Sequence, residues 1–314
     1  MLNAMFSALF PVAFIIILGW IGGKRGYFKP SDATVLATLV MRFALPFALF
    51  IGAMHTSAHK LSNMPFILTM VFGLMGTYVF ALLIGRWGFG QDLKTSTLQA
   101  LVCAFPDMAY FGAPVLAVVC GSAGFLAVLV GNMITSTLML PLTIILVRYA
   151  EDTPEGETRE SVLKVLGHSL LKAVTNPMVW LPISGALLSF AGYKLPPVLD
   201  QSVDLMAKSA GGVSLFALGL MFCGERPRVD AHVVVNVGLK NFIMPALMLL
   251  GIYLFNVDHD LARQALILGA VPTAVAASMF AIRNQTYALA ASSSVLIGTV
   301  LGIGTVALMV AFVS

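Results

Sequence analysis

The sequence predicts an all-α membrane protein with ten transmembrane helices, from its low charge, its high hydrophobicity and its succession of long apolar runs. Only 10% of the 314 residues are charged and 59% are hydrophobic, whereas soluble domains contain roughly 25% charged residues. The mean hydropathy is +0.94. Apolar runs of the length that spans a bilayer, about 20 residues, follow one another along the whole chain. These properties exclude a soluble enzyme, a disordered chain and a nucleic-acid-binding protein.

Each apolar run is predicted to be a spanning helix. The ten runs lie at residues 2–22, 33–54, 64–85, 96–120, 123–148, 172–191, 198–222, 232–255, 262–282 and 287–313. The first run precedes Lys24 and Arg25, and basic residues after an apolar run are typical of a retained helix, since a secretory signal carries them before it. The long polar stretch at residues 151–164 contains five acids and is predicted to link two five-helix halves.

The distribution of Lys and Arg predicts the orientation, because cytoplasmic loops carry an excess of both. With the N-terminus outside, twelve of these residues lie in cytoplasmic loops and three in outer loops. The cytoplasmic residues are Lys24, Arg25, Lys29, Arg86, Lys94, Arg148, Arg159, Lys164, Lys172, Arg226, Arg228 and Arg283, and the outer ones are Lys60, Lys194 and Arg263. Both termini are therefore predicted to lie outside.

The two halves, residues 1–149 and 169–314 with a cytoplasmic linker at 150–168, are predicted to be inverted repeats, because five spans per half make the second half start on the opposite side. A shift of 166 residues lays Pro11 on Pro177, Gly19 on Gly185, Ala104 on Ala270 and Pro106 on Pro272. The last pair falls inside the fourth span of each half, and paired Pro-interrupted spans are typical of a transporter's binding site.

Spans four and nine are predicted to be broken helices that cross at mid-membrane. Pro106 and Pro114, with Gly112 between them, interrupt span four, and Pro272 interrupts span nine. Each proline removes a backbone donor and clashes with the carbonyl four residues earlier, and freed backbone groups in hydrocarbon need a partner. If the breaks meet, the positive ends of two half-helices suit an anion such as a carboxylate. Ordinary proline kinks are the alternative.

Charged side chains within the predicted spans need a reason, since each costs at least ~2.5–3.5 kcal/mol at mid-bilayer. Asp107 is a candidate ion-coupling group that takes up a proton or a cation, and a helix N-cap is the alternative. Arg42 is a candidate bidentate ligand for a carboxylate, with snorkelling as the alternative. Asp204 and Lys208, four residues apart, are predicted to form a structural ion pair. Lys240 has no predicted partner.

No metal site and no cofactor are expected, apart from a coupling proton or sodium ion. His55 and His59 have metal-ligand spacing, but both lie near a loop without a third ligand. Cys103, Cys120 and Cys223 lie in apolar runs, which argues against a disulfide framework. The sequence contains no phosphate-binding loop motif, which argues against pumping driven by ATP.

The stretch Pro106-Asp-Met-Ala-Tyr-Phe-Gly-Ala-Pro114 resembles the span-four signature of the auxin efflux carrier family, in which Pro-Asn is followed by Gly-Phe and then by Gly and Pro. Segments 43–46, 214–220 and 271–273 also resemble that family, and the chain is most similar to the bacterial branch often labelled malonate transporters. The sequence differs from the family pattern at Asp107, where Asn is usual, and at Ala109, where Gly is usual.

The resemblance implies two inverted repeats in which spans one, two, six and seven form a scaffold and the other six spans form a moving transport part. It implies an elevator-like secondary transporter of small organic anions, carboxylates that include malonate, in the bacterial inner membrane, and a homodimer through the scaffold. The residues predicted to contact substrate are Arg42, Pro106, Asp107, Met108, Ala109, Tyr110, Gly112, Pro114, Pro272, Thr273, Ala274 and Ser278.

Two other functions are open from the residues alone. A sodium-coupled symporter of the related bile-acid-like type would use Asp107 and freed carbonyls as hard ligands for the cation. An intramembrane aspartyl protease would need two facing acids, and only Asp107 and Asp204 are available within the spans. Neither acid lies in a Gly-x-Gly-Asp setting, so the transporter interpretation is favoured.

Overall fold

The structure, a computed structural model, describes residues 2–55, 62–150, 167, 171, 175–223 and 227–313. Within these ranges the chain forms helices and loops without a β-strand, and a single isolated antiparallel bridge joins two loops. Nearly all of the predicted linker lies outside the described residues, as do His59, Lys60, Arg159, Lys164, His168, Lys172 and Arg226.

The helices of the described residues are labelled α1 to α15 in chain order. Their bounds are α1 Leu2–Lys24, α2 Pro30–Leu39, α3 Leu45–Met54, α4 Met64–Leu83, α5 Leu93–Ala104, α6 Ala113–Cys120, α7 Phe125–Ile134, α8 Leu140–Ala150, α9 Pro177–Phe190, α10 Pro197–Met221, α11 Ala231–Gly238, α12 Met244–Phe255, α13 His259–Ala270, α14 Val275–Arg283 and α15 Ala288–Val313. Five π-helical segments adjoin them, at Val40–Ala44, Ile84–Gly88, Met108–Gly112, Thr135–Met139 and Leu239–Ile243.

Six helical runs of the described chain are long and apolar enough to cross a membrane. They are Ser31–Met54, Met64–Gly88, Phe125–Ala150, Pro197–Met221, Ala231–Phe255 and Ala288–Phe312. Shorter apolar helices lie at Phe10–Lys24, Met108–Cys120 and Pro177–Phe190. The prediction of an all-helical membrane protein is confirmed at this level. Spans four and nine are each divided into two shorter helices, because a break at Pro106 and another at Pro272 end the regular backbone hydrogen bonding.

Four of the five described π-helical segments end two residues before a proline, namely before Pro46, Pro114, Pro141 and Pro245. The proline ring clashes with the carbonyl four residues earlier in a regular helix. A wider π turn moves that carbonyl away from the ring and lets the helix continue. Spans two, five and eight are therefore traversed by helices that stay continuous in spite of a proline.

The main helix contacts are as follows. α1 packs along α10, and α3 packs against both α9 and α10. α4 packs against α5 and α12, and α14 packs against α15. The contact between α1 and α10 is made by glycines, since a Cβ added at Gly19 would overlap the Phe216 carbonyl and one added at Gly219 would overlap the Ile16 carbonyl. The two backbones therefore touch.

The bounds of the broken helices recur after 166 residues. That shift lays Leu93–Ala104 on His259–Ala270 at both ends. Both helices begin three residues before the predicted spans, directly after the N-cap residues Asp92 and Asp258, of which Asp92 makes a side-chain cap bond. Asp92 accepts a hydrogen bond from the Thr95 main-chain N–H at 2.8 Å, and this bond holds the pKa of the Asp92 carboxyl below its usual range.

Candidate functional site

The break after α5 and the break between α13 and α14 lie against each other. The main-chain N–H of Asp107 donates to the carbonyl of Pro272 at 2.8 Å, and the N–H of Ala274 donates to the carbonyl of Phe105 at 2.8 Å. These two bonds form the isolated antiparallel bridge. The prolines that interrupt the two helices thus lie at a single crossing, where backbone groups released by one break are satisfied by the other.

Thr273 supplies a donor that Pro106 lacks. In a regular helix the N–H of residue 106 would bond to the carbonyl of Val102, but proline has no N–H. The Thr273 hydroxyl donates to that carbonyl instead, at 3.0 Å. The Thr273 side chain is buried, so water cannot take its place. Sequence reasoning included Thr273 among the site residues but did not predict this role.

Ser214 of α10 lies against the carbonyl affected by Pro114. The Ser214 hydroxyl is 3.2 Å from the carbonyl of Tyr110, four residues before Pro114, and 2.9 Å from the carbonyl of Gly211 in its own helix, so its single proton is shared between the two. A Cβ added at Gly211, one turn earlier in α10, would lie 3.8 Å from the Pro114 Cβ. The first broken helix therefore contacts α10 through a hydroxyl and a glycine. The small residues of this part of α10 were the signal for a close contact.

Asp107 acts as a helix cap, which was the predicted alternative to ion coupling. It is 2% exposed, and its Oδ1 accepts the main-chain N–H of Tyr110 at 3.1 Å, which caps the π segment that begins at Met108. Its Oδ2 is also buried and has no hydrogen-bond partner among the described residues. A buried carboxylate oxygen without a donor is costly. The coupling role of Asp107 stays a prediction.

The second half-helices begin on the more open side of the crossing. Ala109 and Val275 are half-buried, and Ala276 is exposed. The first N–H groups of a helix lack internal partners and carry the positive end of its dipole. The hydroxyl of Ser278 donates to the carbonyl of Val275 at 2.8 Å, so it is engaged within α14. Binding of an anion by the backbone amides of this side stays a prediction.

Most of the other predicted contact residues are buried around the crossing. They are Pro106, Met108, Tyr110, Gly112, Pro114, Pro272, Thr273 and Ala274. Arg42 lies in the π segment between α2 and α3, where it is exposed, and none of the described crossing residues is its hydrogen-bond or ion-pair partner. Its role as a carboxylate ligand stays a prediction.

Asp204 and Lys208 form an ion pair one turn apart in α10, on a largely exposed part of that helix. His55 lies 3.8 Å from the Asp200 carboxylate. Within the described residues no cluster of three or more His, Cys, Asp or Glu side chains has the geometry of a metal site.

A buried polar cluster beside the crossing was missed by the sequence reasoning. The Asn236 side chain bonds to the Ser294 hydroxyl at 2.9 Å and to the Tyr287 hydroxyl at 3.0 Å, and it accepts the Cys103 thiol at 3.4 Å. Lys240, one turn after Asn236, is completely buried. The spacing of Asn236 and Lys240 within an apolar span was the available signal, although their partners are distant in sequence.

Comparison with known proteins shows the family. Residues 4–310 match the family model described as "Membrane transport protein". The chain is 25% identical over 310 residues to "Uncharacterized transporter YfdV" of Escherichia coli (strain K12), covering 96% of this chain and 95% of that protein. It is 22% identical to "Auxin efflux carrier component 8" of Arabidopsis thaliana, covering 95% of this chain and 94% of that protein.

A third relative, from Rhizobium meliloti (strain 1021), carries the name "Putative malonate transporter" and is 23% identical over 297 residues, which covers 93% of this chain and 90% of that protein. These relatives are named as transporters and not as enzymes. The match over nearly the whole chain, together with the apolar helices, makes this an integral membrane protein with a transport function. The chain belongs to the membrane transport protein family that includes the auxin efflux carriers.

Proposed function

We propose that this protein is a secondary active transporter of small organic anions, namely carboxylates such as malonate, that works by an elevator-like alternating-access mechanism. The observation that carries the proposal is the crossing, where two broken helices are joined by main-chain hydrogen bonds of 2.8 Å. Broken helices that meet at their breaks, with half-helix N-termini free to face an anion, are the usual construction of a transporter's substrate site.

The proposed architecture is ten spanning helices in two inverted five-helix repeats, at residues 1–149 and 169–314. The recurrence of α5 as α13 after 166 residues supports the repeat. The scaffold would contain α1 to α3, α9 and α10, which pack together. The remaining helices would form the transport part and carry the crossing. We further propose a homodimer through the scaffold, in the bacterial inner membrane with both termini outside.

In this proposal the backbone amides at the start of the π segment Met108–Gly112 and of α14 bind one carboxylate of the substrate, and Arg42 binds the other. Asp107 couples transport to a proton. Protonation at Oδ2 would remove a negative charge from the crossing and so reduce repulsion of an incoming anion. The same buried oxygen favours, as the second candidate, a sodium-coupled symporter in which Asp107 ligates the cation. The name of the Rhizobium meliloti relative supports a dicarboxylate as the first substrate to test.

The test is uptake of radiolabelled malonate into proteoliposomes that contain the purified protein. Uptake is measured with an inward proton gradient, with an inward sodium gradient, and with neither. Asp107→Asn keeps the shape of the side chain and its cap but cannot change charge. The matched control is Asp204→Asn, because Asp204 is a span acid that already pairs with Lys208.

The proposal predicts that the proton gradient accelerates uptake, and that Asp107→Asn abolishes this acceleration whereas Asp204→Asn retains it. Acceleration by sodium that is lost in Asp107→Asn would favour the sodium symporter instead. Uptake with an unchanged pH dependence in Asp107→Asn would remove Asp107 from the mechanism. If no carboxylate from a panel of mono- and dicarboxylates entered the vesicles, the substrate class would be wrong.

A further inference from the structure

Lys240 is a fully buried lysine without an acidic partner among the described residues. It lies in the π segment between α11 and α12 and is 0% exposed. Its Nζ donates to the carbonyl of Gly269 at 3.1 Å and lies 2.9 Å from the Met244 sulfur. A charged side chain in the apolar part of a membrane protein needs a partner that compensates for its lost hydration. Here the partner is a backbone carbonyl.

That carbonyl belongs to the last turn of α13, just before the break at Pro272. The final carbonyls of a helix have no internal donors and carry the negative end of its dipole. The second broken helix therefore presents a partial negative charge at this point. Lys240 places a positive charge against it, in the position where a helix C-terminus is best stabilised.

The first broken helix meets the same span. Cys103 is one residue before the end of α5, just as Gly269 is one residue before the end of α13, and the two positions correspond under the 166-residue shift. The Cys103 thiol donates to Asn236, one turn before Lys240 on the same span, at 3.4 Å. Asn236 and Lys240 thus contact the C-terminal ends of both half-helices from one span.

Carbonyl groups of this kind, at half-helix C-termini and unwound backbone, are the ligands that hold a coupling sodium ion in other transporters with broken helices. We propose that Lys240 is a tethered cation that occupies this position, neutralises the carbonyl end of α13, and makes a sodium ion at the crossing unnecessary. The N-terminus of α14 has no side-chain cap and stays available to the anionic substrate.

The inference concerns the coupling ion, and only its consequence for transport rests on the proposed carrier function. Its test is therefore a thermal-unfolding measurement on the purified full-length protein, which needs no substrate. Midpoints are compared at pH 6.0 in 150 mM sodium chloride and in 150 mM choline chloride. The variants are Lys240→Met, which keeps the length of the side chain, and Lys240→Arg, which keeps the charge. The control is Lys208→Met, because Lys208 is exposed and pairs with Asp204.

We expect the wild-type protein and Lys208→Met to unfold at the same temperature in both salts. Lys240→Met is expected to unfold about 2–6 °C lower in choline, because the helix-end carbonyls lose their donor. Sodium is expected to restore at least about 2 °C of that loss by binding where the ammonium was. Lys240→Arg is expected to remain independent of sodium.

A wild-type protein that sodium stabilises as much as it stabilises Lys240→Met would overturn the inference, since the cation position would then be empty in the native protein. A Lys240→Met variant that loses stability without any response to sodium would also overturn it and leave Lys240 as a helix-end donor only. If Lys240→Met does not fold, the wild-type protein and Lys240→Arg still test the inference. An unfolding temperature that depends on sodium in either protein would contradict occupation of the cation position by the side chain at residue 240. Failure of malonate uptake would leave these outcomes unaffected.

Discussion

The hydrogen bond from Thr273 to Val102 can be removed without changing the shape of the side chain. Thr273→Val replaces the hydroxyl by a methyl group of similar size at a residue that is 2% exposed. The carbonyl of Val102 then has no donor, because Pro106 cannot supply one. The variant therefore tests whether the second broken helix satisfies a backbone group that the first has lost.

The expected loss follows from the burial of the carbonyl. A buried polar group left without its partner costs about 1–3 kcal/mol. One kcal/mol corresponds to a shift of about 2–4 °C in the melting temperature of a chain of 150–250 residues, and to the lower end of that range for a longer chain. The melting temperature of Thr273→Val is therefore expected to fall by about 2–6 °C.

The assay is thermal unfolding in detergent, with Thr77→Val as the matched control and Thr273→Ser as the rescue variant. Thr77 is also completely buried, but its hydroxyl donates at 2.7 Å to the carbonyl of Gly73 in its own helix, where a main-chain donor is already available. Thr77→Val is expected to shift the melting temperature by less than half as much, and Thr273→Ser to retain most of the native stability. Equal shifts in the two valine variants would refute the assignment of Thr273 as the replacement donor.

Three further changes test other contacts. Ser214→Ala is expected to lower the melting temperature by about 2–4 °C through loss of the donor to Tyr110. The control Ser202→Ala, whose hydroxyl bonds within its own exposed helix turn, is expected to have no measurable effect. A larger loss in Ser202→Ala than in Ser214→Ala would contradict the contact between Ser214 and the first broken helix. Gly219→Ala is expected to destabilise the protein by at least about 2 kcal/mol in denaturant unfolding, because its Cβ would overlap the Ile16 carbonyl. The control is Gly212→Ala on the same helix, whose Cβ meets nothing within 4 Å and which is expected to be neutral or stabilising. Similar losses of stability in both variants would argue against the close contact. Asp92→Ala is expected to lower the free energy of unfolding by about 1 kcal/mol at pH 7. Because the native pKa of Asp92 lies below its usual value, this difference in stability should persist above about pH 4 and disappear as the pH falls through the native pKa. A difference that grows on acidification would contradict the cap.

The long apolar helices could be predicted from the sequence because burial in lipid leaves a strong local pattern. Pro106 and Pro272 could also be predicted to break their helices, since a missing N–H is a property of the residue itself. What could not be predicted is which group replaces each missing donor. Thr273 and Ser214 are ordinary hydroxyl residues in sequence, and only the packing of distant helices brings them to the carbonyls that need them.

Lys240 illustrates the same limitation. Its carbonyl partner, Gly269, is a backbone atom 29 residues away, and backbone atoms carry no sequence signature. The role of Asp107 was easier to predict, because an acid beside a helix break can cap the helix that follows. The unpaired Oδ2 of Asp107 follows from that geometry. The exposed position of Arg42 could not be predicted, because the π turn before Pro46 rotates the residues that precede it relative to a regular helix.

The glycine contact between α1 and α10 has a mechanical consequence. Gly19 and Gly219 bring the two backbones so close that sliding one helix along the other by a single residue would drive a side chain into a main-chain carbonyl. This pair of helices is therefore expected to move as one unit. The first broken helix meets α10 through the Ser214 hydroxyl, 3.2 Å from the Tyr110 carbonyl, and through Gly211, which leaves room for Pro114. In the proposed elevator-like mechanism, displacement is expected at this contact before any displacement between α1 and α10.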